Sequence, residues 1–538
     1  MNRREIIKHL ATIPLVGTVL PNESIIASSI NEASQSLSDG QNIYNSLGVD
    51  TIINCRGTFT IIGGSIERPE VLKAMEAASG HFVQYDELAF GIGSRLAELT
   101  GAEWGMVSSG CAAGLKHVTA ACVTGGNPEK LIRIPNLSGL EKTQVIIPGY
   151  SRNVYDHAVR NIGVEIIMVD TPEELEHALC SKTAMIYIMT GKDSDLGQPL
   201  SLEVIAKIAK PHKVPVLVDA AAENLTLPPV HLKRGATIVA YSGGKAICGP
   251  QCAGLLLGDK DLLMAAWQAS SPHHGPGRDD KVGKEEMLGM LAAVEAWKSR
   301  DHKAEWERWL SWLDEISKRM TKIKGVTTNV TEPTGLSNLA PTLHINWDPA
   351  ELHITGEELA EEVARNTPRI AIGDRFKDGV TSINITPNQM QEGEAKIVAD
   401  RLYAILSKKR KPKTDEMIPP KVNVSGHWDV TVEFFHSTST HTLYIEQEGN
   451  WIQGSHKSDF STQEMVGMVE GDEIKLRSNY RIPGNSISYW FSGKVTDKEM
   501  IGSIYMGEYL TAKFTAKPSV YTIKPTRIKI PSGPPMAT

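Results

Sequence analysis

The sequence predicts an α/β protein with a large domain on a mainly parallel sheet, a small α+β domain, and a C-terminal antiparallel β barrel or sandwich. Apolar runs alternate with helical stretches from residue 145 to 255, shorter elements follow from about 321 to 408, and period-two patterns fill 425 to 517. At 538 residues the chain is too long for one ordinary hydrophobic core. We therefore expect three folding units.

Six apolar runs predict the strands of the large domain. They are Val145-Ile-Ile, Val164-Glu-Ile-Ile-Met-Val, Ala184-Met-Ile-Tyr-Ile-Met, Val214-Pro-Val-Leu-Val, Thr237-Ile-Val-Ala and Gly254-Leu-Leu-Leu. Helical stretches lie between them, among them Pro172 to Cys180 and Leu202 to Lys210. This alternation is typical of parallel strands with helices on both faces of the sheet.

An acid and an amine follow two of these strands. Val216-Leu-Val-Asp219 ends in a carboxylate, and Tyr241-Ser242-Gly-Gly-Lys245 places a lysine in a glycine-lined turn. A buried carboxylate can hold a pyridine nitrogen protonated, and a lysine can form a Schiff base, so the pair suits pyridoxal 5'-phosphate chemistry. The alternative is a strand that happens to end in Asp219, with Lys245 on the surface after a tight turn.

A small-residue turn offers a site for a phosphate. Ser108-Ser109-Gly110-Cys111 follows a predicted strand and opens a helix that continues to Cys122. Backbone N–H groups at a helix start bind anions, and Ser242 could supply a further hydroxyl. A helix N-cap by Ser108 or Ser109 is the structural alternative.

Several motifs together carry a resemblance to a known family. They are Asn54-Cys-Arg-Gly-Thr58, Gly63-Gly-Ser65, Leu99-Thr-Gly-Ala102, the turn from Ser108 to Gly114, Asp219-Ala-Ala-Ala-Glu223, Ser242-Gly-Gly-Lys245, Gly249-Pro-Gln251 and Lys281-Val-Gly-Lys-Glu-Glu286. Over about residues 45 to 408 the chain resembles the fold-type-I pyridoxal-phosphate enzymes grouped with bacterial selenocysteine synthase. It is most similar to their D-glucosaminate-6-phosphate ammonia-lyase branch.

The resemblance implies a fold-type-I transferase fold, a homodimer or higher homo-oligomer, and roles for individual residues. Lys245 would bind the cofactor aldehyde, Asp219 would face the pyridine nitrogen, and Ser109, Gly110, Cys111 and Ser242 would surround the phosphate. An arginine of the small domain would grip the substrate carboxylate, for which Arg375 is favoured. A surface ion pair is the alternative for Arg375.

The resemblance also favours elimination from a hydroxy amino acid or amino-sugar acid, giving a 2-oxo acid and ammonia. His157 would stack on the cofactor ring or act as an acid, or it is a buried structural histidine. Arg278 and Lys284 would hold a substrate phosphate or carboxylate. The alternative is that they are solvent-exposed side chains of a loop and bind no ligand. Aminotransfer, racemisation and selenium transfer are alternative reactions. A non-catalytic envelope-binding protein on the same fold is the alternative class.

Composition and charge exclude other classes. The formal net charge is -7 without a large basic cluster, so we expect no nucleic-acid partner. No internal apolar run is long enough for a membrane span. Six scattered cysteines predict no disulfide framework. Cys248 and Cys252 lack partners for a zinc site, so we expect no metal.

The N-terminus resembles a twin-arginine export signal over residues 1 to 30. Asn2-Arg-Arg-Glu-Ile-Ile-Lys8 precedes the apolar stretch Leu10 to Leu20, and Ala27-Ser-Ser29 offers small residues for cleavage. This predicts a periplasmic or exported protein. A frayed amphipathic helix on a cytoplasmic enzyme is the alternative.

The predicted large domain spans residues 45 to 320, and the small domain follows it. Glu285 to Met320 predicts a long helix, on which Trp306, Trp309 and Trp312 share a face suited to core or subunit contact. The small domain, 321 to 408 with part of the N-terminal segment, has predicted strands at Thr342-Leu-His-Ile-Asn-Trp and Val380-Thr-Ser-Ile-Asn-Ile. Its predicted helices are Gly356 to Asn366 and Gln391 to Ser407.

A basic, proline-containing stretch, 409 to 424, predicts a linker to the C-terminal domain. Alternating short segments from 425 to 517 predict an all-β domain that looks lipocalin-like. We expect it to have a structural or oligomer-facing role, and ligand binding is the alternative. A proline-rich extended tail, 518 to 538, follows.

Overall fold

A computed structural model describes residues 43–414 and 416–519, together with residues 527 and 533. The predicted export signal lies outside the described residues, as does the predicted tail beyond 519 apart from residues 527 and 533. Within residues 43–414 and 416–519, every helix is too short or too polar to cross a membrane.

The large and small domains together contain the first thirteen strands and the fourteen α-helices named below. In chain order the strands are β1 (Ile52–Asn54), β2 (Trp104–Ser108), β3 (Gln144–Pro148), β4 (Glu165–Val169), β5 (Thr183–Met189), β6 (Val216–Asp219), β7 (Ile238–Ser242), β8 (Gly254–Gly258), β9 (Thr327–Thr331), β10 (Thr342–Trp347), β11 (Arg369–Ala371), β12 (Gly373–Lys377) and β13 (Val380–Ile385). The helices are α1 (Pro69–Ser79), α2 (Tyr85–Thr100), α3 (Gly110–Thr124), α4 (Pro128–Leu131), α5 (His157–Arg160), α6 (Pro172–Ala178), α7 (Leu202–Ala209), α8 (Val230–Lys233), α9 (Lys260–Ala269), α10 (Lys284–Ser299), α11 (His302–Met320), α12 (Pro349–Leu352), α13 (Gly356–Arg365) and α14 (Glu394–Leu406).

The large domain is built on a seven-stranded sheet of order β2-β8-β7-β6-β5-β3-β4. Strand β8 is antiparallel to both of its neighbours, and all other neighbouring pairs are parallel. The prediction of a mainly parallel sheet is confirmed. Because the parallel strands run the same way, the carboxyl ends of β2, β7, β6, β5 and β3 lie along one edge.

The predicted long helix from 285 to 320 is wrong, because the chain breaks between α10 and α11. Arg300 leaves the helical conformation, with φ −62° and ψ 140°. Asp301 then caps α11 by accepting a hydrogen bond from the backbone N–H of Ala304 at 2.9 Å. Two helices therefore form from one apolar pattern.

The small domain is α+β, as predicted. Its antiparallel sheet has the order β12-β13-β10-β9, and β1 from the N-terminal segment pairs in parallel with β11. The C-terminal half of α11 contributes Trp312, Ile316 and Met320 to the core of this domain. The core also buries Cys55, which follows β1.

The C-terminal domain is a closed eight-stranded antiparallel barrel. Its strands are β14 (Gly426–Glu433), β15 (Thr438–Glu448), β16 (Trp451–Lys457), β17 (Thr462–Glu470), β18 (Glu473–Ile482), β19 (Asn485–Val495), β20 (Met500–Tyr505) and β21 (Thr511–Pro518). Along β14, buried and exposed positions alternate, as the period-two pattern predicts. Of the two predicted architectures, the barrel is the one that forms, since β21 pairs with β14 and closes the sheet.

Candidate active site

The candidate site lies at the carboxyl edge of the large sheet. Ser108 and Ser242, the last residues of β2 and β7, both lie opposite Gly254 of β8. Asp219, the last residue of β6, lies opposite Ala240 of β7. This register brings the predicted acid and the predicted phosphate hydroxyl of Ser242 to neighbouring strand ends.

Asp219 is a buried carboxylate with three donors. Tyr187 Oη donates to Oδ2 at 2.9 Å, and the backbone N–H of Ala221 donates to Oδ1 at 3.0 Å. The Cys111 thiol also donates to Oδ1 at 3.7 Å. Burial raises the pKa of Asp219, while the three hydrogen bonds and the charge of Lys245 act in the opposite direction. A cation placed against this carboxylate would favour its charged form.

Lys245 lies close enough to Asp219 for its charge to lower the pKa of that carboxyl, and it has the same effect on the thiol of Cys111. The lysine stands in the turn after β7, where Gly243 N–H donates to Ala253 O at 2.8 Å. Across residues 43–414 and 416–519, the Lys245 amine has no hydrogen-bond partner and no ion pair. The amine is therefore available to an incoming group.

The start of α3 offers an anion site. Ser109 holds the N-cap position without a side-chain capping bond, and Gly110 has φ +81°. The first N–H groups of an α-helix have no partner within the helix. A Cβ on Gly254 would lie 2.5 Å from the carbonyl carbon of Gly110 and 2.6 Å from Cys111 N, so only glycine lets β8 approach this turn. A phosphate fits this cradle of backbone donors.

Two further residues of the site were not predicted from the sequence. Tyr187, in the middle of β5, is fully buried and donates to Asp219. Asn153 Nδ2 in turn donates to Tyr187 Oη at 3.1 Å and to Ser151 O at 2.7 Å. Burial raises the pKa of Tyr187 well above its usual range, which keeps the phenol protonated. The sequence did contain one signal for Tyr187, which is a tyrosine inside an apolar strand. A buried phenol hydroxyl needs a hydrogen-bond partner, so such a tyrosine points to a polar group nearby.

Four predicted residues lie apart from this network. His157 is exposed at the start of α5, Arg375 is exposed on β12, and Arg278 is exposed in the loop before α10. Lys284 donates to Ala78 O at 2.9 Å, at the end of α1, and pairs with Glu285. Among the described residues none of the four has a polar contact with Asp219 or Lys245, and their roles stay predictions.

The loop that carries Arg278 is held against α3. Buried Lys116 on α3 pairs with Asp279 at 2.6 Å and with Asp280 at 3.0 Å, and His117 Nε2 lies 3.5 Å from Asp280. This loop is therefore anchored on the same helix whose start is the candidate phosphate site.

A separate cavity of about 590 Å³ lies between the large and small domains. Trp306, Trp309 and Trp312 line it together with Arg68 and Arg300. The tryptophan face predicted for core or subunit contact therefore borders a cavity. Neither Asp219 nor Lys245 lines this cavity.

Comparison with known proteins shows the fold and the class of enzyme. Residues 157–281 match the aminotransferase class-V family. The chain is 28% identical over 376 residues to a D-glucosaminate-6-phosphate ammonia lyase of Salmonella typhimurium, covering 68% of this chain and 98% of that protein. A solved structure of D-glucosaminate-6-phosphate ammonia-lyase matches with a TM-score of 0.60 and 27% identity, covering 68% of this chain and 98% of that one. The chain is a fold-type-I, pyridoxal-phosphate-dependent enzyme.

A second relative of this fold-type-I enzyme is a 5'-C-glycyluridine monooxygenase-decarboxylase of Streptomyces. It is 28% identical over 377 residues, which cover 68% of this chain and 92% of that protein. Two relatives at equal identity thus have different named reactions. The comparisons favour an enzyme over the alternative of a non-catalytic binding protein.

The residues of the site fit pyridoxal 5'-phosphate. Asp219 is a buried acid whose protein donors include no cation in direct contact, Lys245 has a free amine, and α3 presents unpaired backbone donors beside Gly110. These are the three groups that a pyridine nitrogen, an aldehyde and a phosphate require. Within the described residues, no group of three or more acidic, histidine or cysteine side chains is arranged to hold a metal ion.

Proposed function

We propose that this enzyme is an ammonia-lyase that converts a hydroxy amino acid or amino-sugar acid to a 2-oxo acid and ammonia. One observation carries the proposal: the free amine of Lys245 lies beside buried Asp219 in a chain that matches 98% of the length of an ammonia lyase. Elimination requires a base that can move a proton at the substrate, and a carboxylate that holds the cofactor ring nearby. Lys245 and Asp219 would supply these two groups.

The site residues divide the task of holding the cofactor. Asp219 would face the ring nitrogen, Lys245 would bind the aldehyde carbon, and the start of α3 with Gly110 and Cys111 would hold the phosphate, helped by Ser109 and Ser242. When bound, pyridoxal phosphate withdraws electrons from the Cα of the amino acid and so makes the Cα proton acidic.

Lys245 would take that proton as the base, because its amine has no partner among the described residues. The hydrogen bonds that Tyr187 and Ala221 donate to Asp219 lower its pKa against the larger raising effect of burial, and so favour the charged carboxylate. The thiol of Cys111 stays neutral, since burial raises its pKa well above the usual range. The carboxylate is thus the negative partner available for the ring nitrogen.

The reaction balances without a second substrate. The Cα–H and Cβ–OH bonds break, the hydroxyl leaves as water with one proton, and water then replaces nitrogen at carbon 2. The products are a 2-oxo acid and ammonia. His157, exposed at the start of α5, is the acid that the sequence offers for the leaving hydroxyl.

The proposal is tested by supplying substrate alone. The reconstituted full-length enzyme is incubated with D-glucosaminate 6-phosphate, other amino-sugar acids and β-hydroxy amino acids, and ammonia and 2-oxo acid are measured. We expect equal amounts of both without added keto acid, and none from Lys245→Ala. Dependence on a keto acid would instead establish an aminotransferase. Interconversion of enantiomers without ammonia would establish a racemase.

We also propose export by the twin-arginine route and assembly into a homo-oligomer. The support is the sequence around Arg3 and Arg4 and the shared sites usual in fold-type-I enzymes. Cell fractionation should place the protein in the periplasm and a double Arg3→Lys, Arg4→Lys variant in the cytoplasm. Light scattering should give a multiple of the 58.7 kDa chain or of its processed form. Equal distribution of the two proteins, or a monomeric mass, would contradict the respective proposal.

A further inference from the structure

One turn of the C-terminal barrel lies against the large domain beside the candidate active site. Strands β18 and β19 are joined by Pro483 and Gly484, and Ile482 pairs with Asn485 at the base of the turn. The guanidinium of Arg152, in the large domain, donates from Nη2 to the backbone carbonyl of Pro483 at 3.1 Å.

Gly484 makes the closest approach in this contact. A Cβ at this position would lie 3.0 Å from Asn153 O, 3.1 Å from Asn153 N and 3.1 Å from Asp156 Oδ2. The residue also has φ +80°, a conformation that favours glycine. Backbone therefore packs on backbone here, without space for a side chain.

The large-domain segment 151–156 is itself tied together by charge. Asp156 is fully buried, and its two carboxylate oxygens accept from Arg152 Nε at 2.5 Å and from Arg160 Nε at 2.9 Å. Arg152 thus bridges the barrel turn and the buried carboxylate. Removing one of the two arginines would leave the buried carboxylate of Asp156 with a single ion-pair partner.

The same segment reaches Asp219 through Asn153. The Asn153 amide donates to Tyr187 Oη at 3.1 Å, and Tyr187 donates to Asp219 at 2.9 Å. The contacts therefore run without a gap from the barrel turn, through Arg152 and Asn153, to the carboxylate that would face the cofactor ring.

We infer that the Pro483-Gly484 turn of the barrel is a positioning element of the active site. It fixes segment 151–156, and Asn153 in that segment orients the phenol that donates to Asp219. Gly484 and Arg152 are positioning residues, since neither contacts the reacting groups. This inference rests on the cofactor site and is independent of which reaction the enzyme catalyses.

The test compares two glycines of the barrel in the full-length protein. Gly484→Ala places a methyl group on Asn153, whereas Gly449→Ala is the matched control. Gly449 also lies in a two-residue hairpin turn, with φ +59°, and a Cβ there would have no atom within 4 Å. Backbone strain is therefore shared, and only the large-domain contact differs.

Two measurements are made that need no substrate. In the cofactor-free chain, we expect amide exchange of residues 151–156 to be about tenfold faster in Gly484→Ala than in Gly449→Ala. In reconstitution, we expect pyridoxal phosphate to bind Gly484→Ala several-fold more weakly and with a shifted absorption band. Equal exchange, affinity and spectra for the two variants would overturn the inference, whatever reaction the enzyme has.

A second pair of variants does not alter the barrel. Arg152→Ala and Arg160→Ala each remove one ion pair from Asp156, but only Arg152 contacts the turn. We expect Arg152→Ala to speed exchange at Asn153 more than Arg160→Ala does. We also expect the effect of Gly484→Ala to be reduced when Arg152 is already alanine. Additive effects, with equal results for the two arginines, would contradict a shared contact.

Discussion

Two buried polar clusters in this molecule differ in the chemical groups that they bring together. In the large domain, Tyr187 and Cys111 donate to Asp219 at the edge of an open sheet, with the free amine of Lys245 nearby. In the barrel, His441 Nδ1 lies 2.9 Å from His456 Nε2, and His456 Nδ1 lies 2.7 Å from Ser478 Oγ.

Both clusters are buried, but burial has a different consequence in each of them. In the barrel, burial lowers the pKa of His456 to about 3 and also lowers the pKa of His441, so the histidines stay neutral and bond to one another. In the large domain, a carboxylate is kept beside an amine and a helix start. Because the barrel is closed, its histidine cluster has a structural role. The large-domain cluster lies at the open carboxyl edge of the sheet, where we propose that it takes part in the reaction.

The largest expected effect is at Lys245. Lys245→Ala should lower the rate of ammonia release by about a thousandfold or more, because the amine is the proposed base at Cα. Lys322→Ala, which removes an exposed lysine, is the control and should keep the wild-type rate. A Lys245→Ala enzyme as fast as this control would place the chemistry elsewhere and remove the contrast between the clusters.

Asp219→Asn should lower kcat by about a hundredfold, because the neutral amide no longer favours a protonated cofactor ring. The matched control is Asp259→Asn. Asp259 follows β8 in the same sheet but caps α9 by accepting from Leu262 N at 2.8 Å. Steady-state kinetics of both variants separate a chemical strand-end aspartate from a structural one. Equal losses would show that the charge of Asp219 is not used.

The barrel cluster should reveal itself in the pH dependence of stability. Because the pKa of His456 is lowered from 6.5 to about 3 on folding, the unfolded chain binds a proton in this range and the folded chain does not. The free energy of unfolding of the barrel should therefore fall with decreasing pH between these values, by at most about 1.4 kcal/mol per pH unit.

Urea unfolding, read by pulsed hydrogen exchange of barrel peptides in the full-length chain, measures this slope. His456→Gln should flatten it, and His436→Gln, which changes an exposed histidine of the same barrel, should not. If His456→Gln and wild type lose stability in parallel, His456 is not the group that takes up the proton.

The smallest effect is expected at Tyr187. Tyr187→Phe removes one hydrogen bond to Asp219, a loss of about 1 kcal/mol, and should lower kcat about fivefold while leaving the fold intact. Tyr150→Phe is the control, since Tyr150 donates to Leu200 O at 2.8 Å and has no bond to Asp219. An unchanged pH–rate profile in Tyr187→Phe, with kcat like the control, would mean that the phenol does not support the carboxylate.

Much of the architecture follows from local patterns. The apolar runs around Asp219 and Ser242 form the strands β6 and β7, as predicted, and the parallel pairing of these strands places their ends at one edge. The period-two pattern after residue 425 forms the barrel. These features are predictable because strand direction and alternation are properties of the chain itself.

The contacts that complete the site are long-range. Tyr187 reaches Asp219 because β5 pairs with β6 so that Met189 lies opposite Asp219, a register that the sequence does not contain. Lys284 donates a hydrogen bond to a backbone carbonyl at the end of α1, about two hundred residues earlier in the chain. The last carbonyl groups of a helix have no partner within the helix and accept such bonds. The approach of Gly484 to Asn153 likewise depends on how two domains meet.

The central claim is that one lysine, Lys245, holds the cofactor beside Asp219. The direct measurement is borohydride reduction of the reconstituted enzyme, followed by peptide mass mapping. We predict that the phosphopyridoxyl group is attached to the peptide containing Lys245 and is absent from the Lys245→Ala protein. Attachment to another lysine, or no attachment despite bound cofactor, would contradict the account.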